Sequence, residues 1–295
     1  MTTSDDALRP RRSVLYMPGA NERALEKATT LPADALILDL EDAVAPDAKA
    51  EARERVCAAA TSGSYGAREV TIRVNGIGTL WHDDDLRAVA AAGPAAVVVP
   101  KIDSVDAVHA IEKALEAGGA PEHTRIWGML ETPIAMLHAA EIAASSERLA
   151  VLVMGTNDLA KELQAAHVPG RQPLLTGLGL CLLAARATGK VILDGVYNDI
   201  KNPEGFEAEC VQGRDMGFDG KTLIHPSQLE PCNRVFAPAP EDVERSERII
   251  AAFEEAEAEG RGVVTVDGRM IENLHVEQAR RTLALAAAIE ALAAD

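Results

Sequence analysis

Eight short, β-branched, apolar runs recur along the 295-residue chain, each ending in polar residues and each followed by a stretch with helical periodicity. They are SVLYMPG (13–19), ADALILDLED (33–42), EVTIRVNG (69–76), AAVVVPKI (95–102), RIWGMLET (125–132), AVLVMGTND (150–158), VILDGVYND (191–199) and DGKTLIHPSQ (219–228). The intervening stretches, such as NERALEKA, SVDAVHAIEKALEA and PIAMLHAAEIAA, place apolar or alanine residues at i, i+3 and i+4. Strands apolar along their whole length, alternating with helices, indicate a parallel sheet covered on both faces. Eight such units predict an α/β fold of the closed (β/α)8 TIM-barrel type, whose usual size is ~250 residues. The alternative, an open doubly wound sheet, would carry a glycine-rich phosphate turn after its first strand, and PGANERA is not GxGxxG.

The barrel is expected to occupy 1–236. After APAP (237–240) come a charged helix, EDVERSERIIAAFEEAEAEG, a hairpin-like piece, RGVVTVDGRMIE (261–272), and a last helix, HVEQARRTLALAAAIEALAA. No strand–helix unit follows, so 237–295 reads as a C-terminal helical tail whose apolar face packs on a neighbouring subunit of a homo-oligomer. A chain of this size buries a full core without disulfides, and any disorder is expected only in the first ten residues.

Composition narrows the function classes. Lys and Arg number 29 against 46 Asp and Glu, a formal charge of −17 with no basic block. That argues against nucleic acid or an anionic membrane as partner. Cys57, Cys181, Cys210 and Cys232 form no CxxC pair and read as thiols of a reducing compartment. MTTSDDALRPRR lacks the apolar core of a signal peptide, and no run reaches the length of a membrane span. The expected location is the cytoplasm.

Barrel enzymes carry their chemistry at the C-terminal ends of the strands. Those ends hold Asp39, Glu41 and Asp42, then Arg73 and Asn75, Lys101, Glu131, Asn157 and Asp158, Asp199, and Lys221 with His225. No nucleophilic Ser or Cys stands beside a His, which disfavours an acyl-enzyme. Glu131 and Asp158 end neighbouring strands, about 4.8 Å apart in a sheet, so either one is protonated or a cation joins them. Mg2+ takes one or two carboxylates and leaves its other positions to water and substrate. Either acid alone would also serve as a helix cap, although Thr132 before Pro133 can take that duty for Glu131. Gly155, Thr156 and Asn157 form either an ordinary strand-to-helix turn or a backbone cradle for a substrate carboxylate. Arg73, in an apolar strand, requires an anion: Glu41, Asp42 or a substrate oxygen. Lys221 and His225 fit a site or a structural turn equally, and Trp81-His82 with three following aspartates reads as a solvated helix start.

Taken in order, LYMPGANERALEKA, ILDLEDAVAPDAKAEAR, TIRVNG, VVVPKI, MLETPIA, VMGTNDLAKEL and GFDGKTLIHPSQ resemble the HpcH/HpaI aldolase family, in its branch related to the citrate lyase beta subunit. That branch includes malyl-CoA and citramalyl-CoA lyases. The resemblance implies a Mg2+-dependent (Mn2+ also serving) enzyme acting on a 3-hydroxyacyl-CoA and a small 2-keto acid such as glyoxylate or pyruvate, assembled as a trimer or hexamer. It makes Glu131 and Asp158 the metal ligands, Arg73 the contact of the thioester or enolate oxygen, and Glu41 and Asp42 the acids that orient that arginine. Arg23 and Lys27 would receive part of coenzyme A. The tail stretch DGRMIENLHVEQA resembles the family's tail motif, in which an acid, usually Asp, reaches a neighbour's site. Glu272 stands there, one methylene longer, and Leu274 replaces a common proline. The expected reaction is carbon–carbon lysis, or its reverse, giving acetyl-CoA and a 2-keto acid; the alternatives are hydrolysis of the malyl-CoA thioester and service as a citrate lyase subunit on an acyl-carrier protein.

Overall fold

The structure is a computed structural model that describes residues 9–258 and 264–294; the expectation of disorder at the extreme N-terminus falls mainly on residues outside this range. Each of the eight apolar runs contains one strand: β1 Ser13–Pro18, β2 Ala35–Asp39, β3 Glu69–Arg73, β4 Ala96–Val99, β5 Arg125–Leu130, β6 Leu149–Met154, β7 Val191–Asp194 and β8 Gly220–Leu223. All neighbours are parallel, and β1 pairs with both β2 and β8, which closes the barrel in sequence order. The open-sheet alternative is thereby excluded. Among the described residues no helix is long and apolar enough to cross a membrane, and all four cysteines are free.

The two-residue period of a strand sorts side chains into two layers. Val14, Ile37, Val98, Trp127, Met129, Val153 and Leu193 fill the barrel interior. Their chain neighbours, including Leu15, Leu36, Leu38, Val97, Ile126 and Leu152, pack outward with apolar residues of the surrounding helices. The same alternation aims Asp39, two residues past Ile37, into the interior, and its register partner on β3 is Arg73. Glu131, two residues past Met129 and the first residue after β5, keeps the same inward parity and lines the barrel mouth.

The described residues divide into two compact units, Arg11–Phe236 forming the first and the chain from Ala237 the core of the second. Within the second, helices Pro240–Ala258 and Asn273–Ala294 pack together, around Ile249, Ile271, Val276 and Ala279. The expected hairpin is present as β9 Val264–Val266 and β10 Arg269–Ile271, paired antiparallel. Its two-residue turn has φ of 50° at Asp267 and 75° at Gly268. Positive φ at both positions is the requirement of a type I′ turn, and Asp-Gly meets it.

Candidate active site at the barrel mouth

A cavity of about 430 Å³ opens at the C-terminal ends of the strands. Its wall includes Asp39, Asp42, Arg73, Glu131, Gly155, Thr156, Asn157 and Asp158. The strand-end residues singled out for the metal, the arginine and the carboxylate cradle therefore converge on one space. Arg23 and Lys27 lie on the exposed side of helix Glu22–Ala28 and are not among the residues lining it. Glu272 belongs to the second unit, where it is exposed and its backbone N–H donates to His275 Nδ1 at the start of the last helix.

Arg73 is 8 % exposed. Its Nε and Nη2 donate to the two carboxylate oxygens of Asp39 at 2.7 and 2.8 Å. Its Nη1 lies 2.8 Å from Glu41 Oε2 and 3.3 Å from Asp42 Oδ2. The principal partner is therefore Asp39, with Glu41 second and the largely exposed Asp42 third, a revision of the pairing expected from the sequence. Inward parity and the Asp39–Arg73 register decide it, whereas Glu41 and Asp42 lie beyond the end of β2. Asp39 is itself held by the backbone N–H groups of Glu41 and Ala43, at 2.8 and 3.1 Å. Tyr16, absent from the sequence-based site, lies under the guanidinium with 4.8 Å from Cζ to the ring centroid. The ring face favours the cation, and burial pushes the phenol well above its ordinary range. Its inward parity on β1, shared with Val14, is the signal in the sequence that points to it.

Glu131 is 3 % exposed, and its Oε1 accepts the backbone N–H of Lys101 at 2.8 Å. Thr132 takes the helix-capping duty, accepting from the Ala135 N–H at 3.2 Å, which frees Glu131 for the cavity. Burial, and next the charge of Asp158, push the Glu131 carboxyl from 4.5 to about 7. Lys101 adopts φ of 53°, a conformation costly for a side-chain-bearing residue, and its Nζ lies 3.3 Å from Asp158 Oδ1. Gly155 leaves room for Glu131: a Cβ there would stand 2.1 Å from Glu131 Oε2 and 2.4 Å from its Cβ. Glu41 is likewise pushed from 4.5 to about 7, by burial and then by Asp42 and Glu131, against the pull of Arg73.

Two buried or half-buried carboxylates facing one cavity, with a lysine ammonium already drawn to one of them, suit a hard cation. Among the described residues no group of three or more His, Cys, Asp or Glu side chains is arranged to hold a metal alone. A cation here would therefore take its remaining ligands from water and substrate, the habit of Mg2+ rather than of a structural zinc.

Other residues expected at the strand ends lie elsewhere, and Lys221 is the second residue of β8 rather than its end. Lys221 shares the parity of the outward-facing Leu223 and is fully buried outside the barrel interior, 3.0 Å from Asp194 and 2.8 Å from Glu209. Arg171 completes that network at 2.6 Å from Asp194, so Lys221 is a structural ion-pair member. His225 Nδ1 accepts from the Ser227 N–H at 3.2 Å and caps a short turn. Of the three aspartates after His82, Asp83 and Asp84 are solvated as expected, but Asp85 is buried. It accepts from the backbone N–H and side-chain amide of Asn75, at 3.0 and 2.6 Å, and from Arg53.

Residues 12–226 match the family model described as HpcH/HpaI aldolase/citrate lyase. The chain belongs to that family. Residues 177–289 of this family member also match a model described as carbon–carbon bond lyase of the TIM-barrel fold. It is 54% identical over 286 residues, 97% of the chain and 98% of the relative, to a protein named (3S)-malyl-CoA thioesterase from Cereibacter sphaeroides. It is 36% identical, over 94% of each chain, to citrate lyase subunit beta of Escherichia coli. Among solved structures, the Mycobacterium tuberculosis protein CitE, in complex with magnesium, acetoacetate and coenzyme A, superposes with a TM-score of 0.76. The identity there is 28%, over 93% of this chain and 97% of that one. The HpcH/HpaI member described here is thus an enzyme related to the citrate lyase beta subunit.

Proposed function

We propose that this enzyme hydrolyses the thioester of a 3-hydroxydicarboxylic acyl-CoA, with (3S)-malyl-CoA as the substrate. The observation that carries the reading is the joint placement of Arg73 and the Glu131/Asp158 pair around one 430 Å³ mouth. Hydrolysis rather than carbon–carbon cleavage is supported by the 54% identity to proteins of thioesterase name, against 36% for the citrate lyase subunit.

Glu131 and Asp158 would hold Mg2+, or Mn2+ in its place, which supplies a Lewis-acid charge for the hydroxyl and carboxylate oxygens of the substrate. Arg73, locked by Asp39 and Glu41, faces the thioester carbonyl and stabilises the negative charge that forms on its oxygen when water adds. Pre-orientation matters here, because a donor already in place needs no reorganisation as the charge develops. Glu41, with its carboxyl near neutrality, takes the proton of the attacking water. The carbon–sulfur bond then breaks, giving malate and free coenzyme A. Gly155, Thr156 and Asn157 bound the end of the mouth that receives the distal carboxylate. Arg23 and Lys27 remain proposed contacts for coenzyme A. Glu272, from the tail of a neighbouring subunit in a homo-oligomer, is proposed to position the water.

The second reading is carbon–carbon lysis to acetyl-CoA and glyoxylate. The same Arg73 geometry favours it, since an enolate oxygen also develops negative charge. Glu272 would then protonate the enolate carbon.

The test is product analysis with the purified chain, Mg2+ and (3S)-malyl-CoA. Malate and free coenzyme A in equal amounts, without glyoxylate, is the expected result. Glyoxylate with acetyl-CoA would establish the lyase instead, and silence would point to a subunit dependent on a carrier protein.

A further inference from the structure

Beside the mouth lies a second cavity of about 590 Å³, whose wall includes Ala166, Val168, Leu174, Tyr197, Asn202 and Ala208. The two cavities share Thr156 and Val196 as wall residues. Asn157 lines the mouth and Asn198 lines the second chamber. Their side-chain amides bond reciprocally across that boundary: Asn157 Nδ2 donates to Asn198 Oδ1 at 3.1 Å, and Asn198 Nδ2 donates to Asn157 Oδ1 at 2.7 Å.

The two halves of this clasp follow different strands, β6 and β7. Asn157 occupies the first turn of helix Thr156–Glu162, directly before Asp158. Asn198 follows β7, on a loop fixed by Gln228 Nε2 donating to the Tyr197 carbonyl at 3.0 Å and by Tyr197 packing edge-on to Phe206. Deeper in the boundary the loops are wedged together, since a Cβ on Gly195 would stand 2.3 Å from Thr156 Oγ1. That part of the wall cannot open without repacking. The clasp, by contrast, is exposed at the rim, where hydrogen bonds between side-chain amides exchange readily for hydrogen bonds to water.

We propose that the Asn157–Asn198 clasp is the end wall of the acyl subsite and sets the length of acid the enzyme accepts. The inference rests on the thioester reading above. There, the thioester oxygen meets Arg73 on β3 while the hydroxyl and distal carboxylate meet Glu131 and Asp158 after β5 and β6. The acyl group therefore runs across the mouth toward β6, and its far end arrives at Asn157. A four-carbon acid stops at the clasp. An acid one methylene longer must push its carboxylate through the gap between the loops after β6 and β7, into the chamber behind Asn198.

Equilibrium binding tests this without depending on turnover. Calorimetric titrations with Mg2+ present would compare malate with 3-hydroxyglutarate, one methylene longer between the hydroxyl carbon and the distal carboxylate, on the wild type, Asn198→Ala and Asn198→Leu. The wild type should prefer malate by about 10-fold or more, the range one methylene commands in a shaped pocket. Asn198→Ala should erase most of that preference by tightening the longer acid, with Mg2+ affinity unchanged. Asn198→Leu refills the gap without restoring the hydrogen bonds and should keep the preference. Unchanged discrimination in Asn198→Ala, with malate still bound, overturns the clasp proposal alone. Equal weakening of malate and Mg2+ in Asn198→Ala overturns it too, because the clasp would then merely position Asp158. Failure of the wild type to bind either acid removes the hydroxy-acid reading and the clasp with it.

Discussion

Arg73→Lys keeps the charge at the barrel mouth and removes the planar fork, so it separates an arginine that orients chemistry from one that only neutralises acids. In the wild type three nitrogens donate at 2.7, 2.8 and 2.8 Å to both oxygens of Asp39 and to Glu41. A lysine ammonium on the same strand is a single point and cannot span those three oxygens. One or two charge-assisted hydrogen bonds are lost, each worth roughly 1.5–3 kcal/mol. Asp39 is not orphaned, because the Glu41 and Ala43 N–H groups still reach it. The expected destabilisation is therefore about 2–4 kcal/mol, at or below the ~3–5 kcal/mol of removing a buried charge partner outright. Turnover should fall further than stability, by about 10²–10³-fold, the loss typical of one misplaced oxyanion donor. Urea unfolding followed by circular dichroism gives the first quantity, and thioester cleavage at saturating Mg2+ gives the second. Wild-type turnover alongside the stability loss would mean that Arg73 is a structural ion pair. Wild-type behaviour in both assays would refute the fork argument altogether.

Burial holds the proton on Glu131 up to about pH 7, so in chelator its contribution to stability is complete below 4.5 and lost as pH rises through about 7. Glu131→Gln should accordingly unfold at higher urea than the wild type at pH 8 in chelator, by up to about 3 kcal/mol, while losing both Mg2+ stabilisation and turnover. A wild type whose stability in chelator is flat from pH 5 to 8, or unmoved by Mg2+, would contradict this. Gly155→Ala forces Glu131 aside, since the added Cβ falls 2.1 Å from Oε2; Mg2+ affinity measured by calorimetry should drop at least about 10-fold, with a stability cost of ~1–3 kcal/mol. For Glu272, mixed oligomers of Glu272→Gln and Glu131→Gln, each inactive alone, should regain partial activity if the tail acts on a neighbour. Absence of recovery in verified mixed oligomers, or full activity in Glu272→Gln alone, would end that proposal.

The barrel is legible in the sequence because its signal is local and repeated. Each strand is a short run of β-branched residues, each turn is polar, and eight repeats leave little freedom in how a parallel sheet can close. Strand ends follow from the same pattern, so the sequence alone marks Arg73, Glu131 and Asp158 as mouth residues. Which side chains meet there is not legible. Asp39 rather than Glu41 or Asp42 is the main partner of Arg73, because inward parity and the register between β2 and β3 set two residues side by side that stand 34 positions apart. Lys221 reads as a strand-end residue in the sequence, yet it is the second residue of β8, and its parity turns it away from the interior into an ion-pair network with Asp194 and Glu209. Asp85 reads as one of three equivalent aspartates until the turn of helix His82–Ala92 buries it against Asn75 while leaving Asp83 and Asp84 in water. The Asn157–Asn198 clasp joins a helix start and a loop 41 positions apart, in segments whose composition carries no sign of the contact. Periodicity along the chain determines which layer a side chain enters. The partner it meets depends on how strands and loops from distant parts of the chain come together, and only the closed barrel supplies that.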